Sequence, residues 1–152
     1  MRNHSPASFG DFRCANCGAV VSVMHMLSGV NNRNHCPYCL WSCHLDLYSA
    51  GDRLSACKAG MKPIGLTLKR SRNKYQADSR GELMLVHACV DCATVSINRI
   101  AADDDPEAIL SVFQSSLELV QHDFYSQQGV VMLDVEDVGA VHAQLFGQGV
   151  LA

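Results

Sequence analysis

Three pairs of cysteines, each pair separated by two residues, constrain this chain more than any other feature: Cys14-Ala15-Asn16-Cys17, Cys36-Pro37-Tyr38-Cys39 and Cys89-Val90-Asp91-Cys92. Two thiolates at that spacing can point at one tetrahedral ion, because the turn between them bends the chain around it. The backbone N–H groups of the turn can then donate to the sulfurs. Zinc suits such a site, since it takes thiolate at ~2.3 Å and makes no redox demand. Gly18, directly after the first pair, supplies the left-handed residue such a turn commonly needs.

Cys14, Cys17, Cys36 and Cys39 give C-x2-C-x18-C-x2-C, a spacing read as a zinc site. The third pair, Cys89 and Cys92, needs two more ligands from among Cys43, His44, Cys57 and His87. Cys57 is the natural third. His44 is preferred to His87 as the fourth, because His87 falls on a strand two residues before Cys89 and would crowd it. Cys43 is then a spare thiol or a packed residue, free cysteine being commonly buried. An interleaved arrangement, joining the first and third pairs, stays open at this point. A site of four cysteines, or of three cysteines and a histidine, is closed, whereas catalytic zinc keeps an open position. The expectation is therefore two structural zinc ions.

Other uses of the thiols fit less well. The N-terminus, MRNHSPASFGDFRC, has no apolar run to serve as a signal peptide, so the expected compartment is the cytoplasm, where thiols stay reduced. A thioredoxin-like motif needs one such pair between a strand and a helix, not three among β-turns. The pairing of a zinc deaminase is absent as a unit, Pro37 lying inside its cysteine pair. A redox switch that releases zinc is physically allowed, but nothing in the sequence demands it. No membrane contact is expected: the longest apolar stretches, such as Val130 to Leu133, are too short to span a bilayer.

Charge divides the chain. All 12 Lys and Arg lie between Arg2 and Arg99 with six acids, a formal +6, whereas residues 100–152 hold nine acids and no Lys or Arg. Such a shift predicts a boundary near residue 102. Before it, Ala19–Met24, Pro63–Lys69, Glu82–His87 and Thr94–Ile100 read as strands, and the polar stretch LKRSRNKYQADSRG between the second and third reads as a hairpin tip. No segment there holds a helical period. After it, Asp105-Pro106-Glu107 is a helix start, followed by Ile109, Phe113, Leu117, Val120 and Phe124 at helical steps. A second helix is predicted from Asp134 through Val135, Val138, Val141 and Leu145 to Gly147. Asp103 and Asp104 read as a solvated linker. The predicted architecture is α+β: a small, β-rich, zinc-ribbon-like domain over residues 9–102, then an acidic two-helix segment over 103–152. A β domain so small has a thin core and needs the metals as staples.

Cys14-Ala15-Asn16-Cys17-Gly18, Arg33-Asn34-His35-Cys36-Pro37, His44-Leu45-Asp46, Gly51-Asp52-Arg53, Cys57, Met61-Lys62-Pro63-Ile64, His87-Ala88-Cys89 and Asn98-Arg99-Ile100-Ala101 form an ordered series. In these residues the chain resembles the RNHCP domain family of bacteria and archaea, which the second of these motifs names. The likeness covers about residues 9–105, with Ala50, Ala88 and Ala93 as departures where the family tends to have Pro, Arg and Gly. The resemblance implies a small zinc-binding domain and supports His44 and Cys57 as ligands beside Cys89 and Cys92. It also implies that Asn34 and His35 orient the cysteine turn through hydrogen bonds. It brings no activity with it.

Three functions are compatible with this reading. Lys69, Arg70, Arg72 and Lys74, followed by Tyr75, put four cations and a stacking ring on the hairpin tip, an expected contact for RNA or a ribonucleoprotein. A non-enzymatic adaptor of that kind is the first expectation. The second is a metal-dependent nuclease or hydrolase of His-Asn-His-like type, using His35, His44, Asp46 or His87. The third is a protein-interaction module whose partner docks on the C-terminal helices without nucleic acid.

Overall fold

The fold is that of a computed structural model, which describes residues 11–29, 33, 35–44, 57–69, 81–118, 125 and 129–147. A two-stranded hairpin, β1 (Phe12–Arg13) and β2 (Val20–Val21), is followed by the single helical turn α1 (His25–Ser28). A four-stranded antiparallel sheet in the order β3-β4-β5-β6 comes next, built from Ser42–Cys43, Gly60–Lys69, Glu82–Cys89 and Val95–Arg99. Helix α2 (Pro106–Ser116), a 3-10 turn (Val135–Asp137) and helix α3 (Val138–Phe146) complete the described elements.

The predicted strand over Ala19–Met24 shrinks to Val20–Val21 for a local reason. Beyond it the Val23 N–H donates to Asp11 Oδ1 (3.0 Å) and the Met24 N–H to Ser22 Oγ (3.2 Å), so side chains take the amides a ladder would use. The turn α1 is helical where no helix was expected; four residues carry no period to read.

Strands β4 and β5 pair from Met61↔Cys89 to Lys69↔Glu82, with a bulge between Pro63 and Gly65. Pro63 cannot donate to a ladder, and a bulge is where a sheet tolerates it. Leu83 to His87 are buried without alternation, which requires cover on both faces of the sheet. One face supplies Leu66, Leu83 and Leu85 to a core with Leu40, Ile109, Phe113, Leu133 and Val141. Val86 instead packs with Tyr125 and Met132.

Helix α2 forms as its sequence dictates. Asp105 is the N-cap, its side chain accepting from the Glu107 N–H at 3.0 Å, and Pro106 opens the first turn where no N–H is needed. Ile109 and Phe113 face the sheet, each contributing ~1.5–3 kcal/mol through burial. The helix ends at Ser116 with Leu117 as its C-cap. Val120 and Phe124, expected to continue the stripe, lie outside the described residues. The helix rests against β4 because Gly65 leaves room: a Cβ there would overlap Met132 Cε and come within 3.1 Å of Ser116 Cβ.

The segment before α3 covers the part of β4 that β3 leaves unpaired. Leu133 donates its N–H to the Leu66 carbonyl (2.9 Å) and Thr67 Oγ1 donates to the Val131 carbonyl (2.6 Å). Asp134 and Asp137 close a capping box at the 3-10 turn, and Gly147 caps α3 at φ 81°. Gln144 on α3 accepts from the Leu83 N–H and donates to the Gly81 carbonyl. No helix among the described residues is long and apolar enough to cross a membrane.

Candidate metal centres

All three cysteine pairs fold into the same turn. The N–H of the residue after each pair returns to the carbonyl of the pair's first cysteine: Gly18 to Cys14 (2.8 Å), Leu40 to Cys36 (2.9 Å) and Ala93 to Cys89 (3.1 Å). The first cysteine in turn donates to the carbonyl five residues on, Cys14 to Ala19 (2.8 Å), Cys36 to Trp41 (2.9 Å) and Cys89 to Thr94 (2.8 Å). Closing this turn demands a left-handed residue after the second cysteine. Gly18, Leu40 and Ala93 occupy it at φ 82°, 67° and 64°. Only the glycine does so without steric cost.

These turns, joined by His44 and Cys57, gather eight side chains into two groups of four. Cys14, Cys17, Cys36 and Cys39 form one group; His44, Cys57, Cys89 and Cys92 form the other, and within each the ligand atoms all lie within 4.8 Å of one another. The sulfurs of Cys14 and Cys39 are 3.5 Å apart, those of Cys17 and Cys36 3.6 Å, those of Cys57 and Cys89 3.6 Å, and His44 Nδ1 is 3.4 Å from Cys92 Sγ. Four sulfurs at ~2.3 Å from a common ion would stand ~3.8 Å apart along the edges of a tetrahedron. Each group could therefore hold one metal ion, and the donor set is compatible with zinc. The first and second pairs share a group, and the third joins His44 and Cys57, so the grouping is sequential rather than interleaved.

The turns also set the acidity of the sulfurs. Burial pushes the Cys36 thiol up to about 12, despite donors from the Cys39 and Tyr38 backbones; the Tyr38 N–H lies 3.4 Å from its sulfur. At Cys14 burial is again the largest influence, but backbone donors from Cys17 and Asn16 outweigh it and the thiol is lowered. Cys92 is drawn down to about 6, first by the Thr94 hydroxyl, 3.1 Å from its sulfur, and then by the Thr94 N–H. A thiol held as high as that of Cys36 ionises only against a strong local positive charge, which a bound dication provides.

His87 is engaged elsewhere. It is fully buried; its Nε2–H donates to the Leu40 carbonyl (2.6 Å) and its Nδ1 accepts from Asn98 Nδ2 (2.8 Å), which fixes one neutral tautomer. Burial, more than the nearby His35, pulls it down to about 4. Cys43 belongs to neither group: it is half-buried, and burial raises its thiol.

Arg33 and His35 converge on Asp104 rather than on a cysteine. Arg33 Nη2 lies 3.0 Å from Asp104 Oδ1, and His35 Nε2 lies 2.6 Å from Asp104 Oδ2, which also accepts from the Ala101 N–H at 2.8 Å. Arg33 further donates to the Asp103 carboxylate (2.9 Å) and to the carbonyls of His35 (3.1 Å) and Ser22 (3.2 Å). The expectation of a solvated linker is thus corrected at Asp104, which is buried because it neutralises a buried guanidinium. Asn34 lies outside the described residues. Reading residue by residue missed Thr94 as well; its signal is a hydroxyl two positions after a ligand, at the mouth of a turn.

Of the residues expected at the hairpin tip, Lys69 is exposed at the end of β4, while Arg70, Arg72, Lys74 and Tyr75 lie outside the described residues. A family model described as the RNHCP domain matches residues 9–110, well over half of the chain. No match is found among curated proteins or among solved structures.

Proposed function

The chain belongs to the RNHCP domain family, and from that premise we propose that it is a non-enzymatic zinc-binding adaptor which contacts RNA or a ribonucleoprotein through its basic hairpin tip. In this reading the front part is zinc-ribbon-like and the acidic residues after it form a two-helix segment that packs on its sheet. The observation that carries the adaptor role is the completeness of both donor sets. Four protein ligands saturate a tetrahedral ion and leave no position for a reacting water. The histidines that a hydrolase would need are also engaged, His35 with Asp104 and His87 with Leu40 and Asn98. The apolar stripe of α2 is spent on the core through Ile109 and Phe113, which speaks against that face as a protein-docking surface.

Charge supports the nucleic-acid partner. Zinc on four thiolates carries a formal −2 and zinc on three thiolates and an imidazole −1, so residues 1–99 fall only from +6 to +3 when loaded. Lys69, Arg70, Arg72 and Lys74 concentrate that excess within six positions. Replacing these four by alanine is expected to weaken RNA binding uniformly across sequences and to flatten its dependence on salt. Binding that is absent at every salt concentration, or indifferent to the four substitutions, overturns the proposal.

A further inference from the structure

The two cysteine groups are bridged by a cavity of about 300 Å³. One side is the first cysteine turn, with Asn16 at its tip; the other is Val90, at the tip of the third. Ser42 and Cys43 of β3 line it between them, and Phe12, Arg13 and Trp41 complete it. Trp41 lies close against the β4 backbone at Gly60, where a Cβ would stand 3.3 Å from Cζ3 and 3.4 Å from Cε3 of the indole. Arg13 is anchored beside it, donating through Nη1 to the Gly18 carbonyl at 2.7 Å.

We propose that this cavity takes one unstacked base of single-stranded RNA, the base lying on Trp41 and its phosphate meeting Arg13. The inference rests on the RNA reading above and gives it a second contact, remote in sequence from the hairpin tip. An indole face accepts any nucleobase by stacking, and a concave site admits a base only when it is out of a duplex. The guanidinium has five N–H donors and uses one on Gly18, leaving the planar fork that phosphate recognition favours. One nucleotide satisfies both the apolar wall and the cation at the rim, whereas an aromatic side chain of a peptide would satisfy only the first.

Trp41 is the sole tryptophan of the chain, so its fluorescence reports on this cavity alone. The zinc-loaded full chain is titrated with a fluorescein-labelled adenosine hexamer followed by anisotropy, and with the unlabelled hexamer followed by tryptophan emission. Saturable quenching that tracks the anisotropy isotherm is expected. Trp41→Ala should weaken binding about tenfold. Val90→Glu, a change at an exposed side chain that places an anion at the mouth, should do the same with zinc content unchanged and should be the deciding variant if Trp41→Ala does not fold. RNA that binds by anisotropy while Trp41 emission is unmoved and Val90→Glu binds like the wild type overturns the cavity but leaves the adaptor reading standing. Absence of any RNA binding overturns both. Quenching by an aromatic peptide and not by the hexamer also overturns the cavity proposal.

Discussion

Arg33 and Asp104 stand 71 positions apart in the chain and meet at 3.0 Å with both side chains wholly out of water. The pair ties the first cysteine group to the start of α2, since Asp105, the next residue, is that helix's N-cap and donates its N–H to the Pro37 carbonyl. The motif residues Arg33 and His35 thus hold two parts of the fold together.

Breaking that tie from one side should be costly. Asp104→Asn keeps the shape but leaves the buried Arg33 guanidinium, among the described residues, with the more exposed Asp103 as its remaining carboxylate. A loss of about 3–5 kcal/mol is expected, against less than about 1 kcal/mol for Asp103→Asn. Urea unfolding of the zinc-loaded protein measures both, and equal effects would contradict the role given to Asp104.

The left-handed residues after the cysteine pairs offer a gain as well as a loss. Ala93→Gly should stabilise by about 1 kcal/mol, because alanine pays a steric penalty at φ 64° that glycine does not. Leu40→Gly relieves the same strain yet should destabilise by about 2–5 kcal/mol, since Leu40 is fully buried in the main core. Thermal melts of the two variants should therefore move in opposite directions.

Metal content is the direct check on the centres. Two zinc ions per chain are expected, with X-ray absorption averaging seven sulfurs to one nitrogen over the two donor sets. Chelation under reducing conditions should abolish cooperative melting. The second centre should also respond to Thr94. With its hydroxyl donating, Cys92 stays ionised down to about pH 6; Thr94→Val returns the thiol toward its ordinary 9.0. Protons then compete with the metal across the interval between those values. Zinc affinity at this centre should fall by about tenfold or more, and further as the pH is lowered. A pH profile of zinc affinity identical in the variant and the wild type would exclude this role.

How far the sequence could be read depended on whether the determining contact was local. The cysteine spacing announces its turns because each turn is closed by its own backbone, within six residues. Asp105-Pro106-Glu107 and Asp134 to Gly147 announce their helices for the same reason: caps act on the first and last turns alone. The engagement of His87 could not be read, since its partners Leu40 and Asn98 come from other segments. Asp104 is the sharpest case. Three consecutive aspartates look solvated, and only the arrival of Arg33 from a distant loop makes burial of one of them tolerable. Gly60 and Gly65 look like weak points in a strand, yet each leaves the space that an indole or a helix occupies.

The sequential grouping of ligands has a consequence for the order in which a nascent chain can mature on the ribosome. Translation delivers the first four sulfurs by residue 39, so one ion can be captured while most of the sheet is still unmade. The second tetrahedron waits for residue 92, and the Arg33 clamp for residue 104. An early metal centre would then serve as the template on which later strands assemble, with its guanidinium hydrated until the acidic segment arrives to dry it.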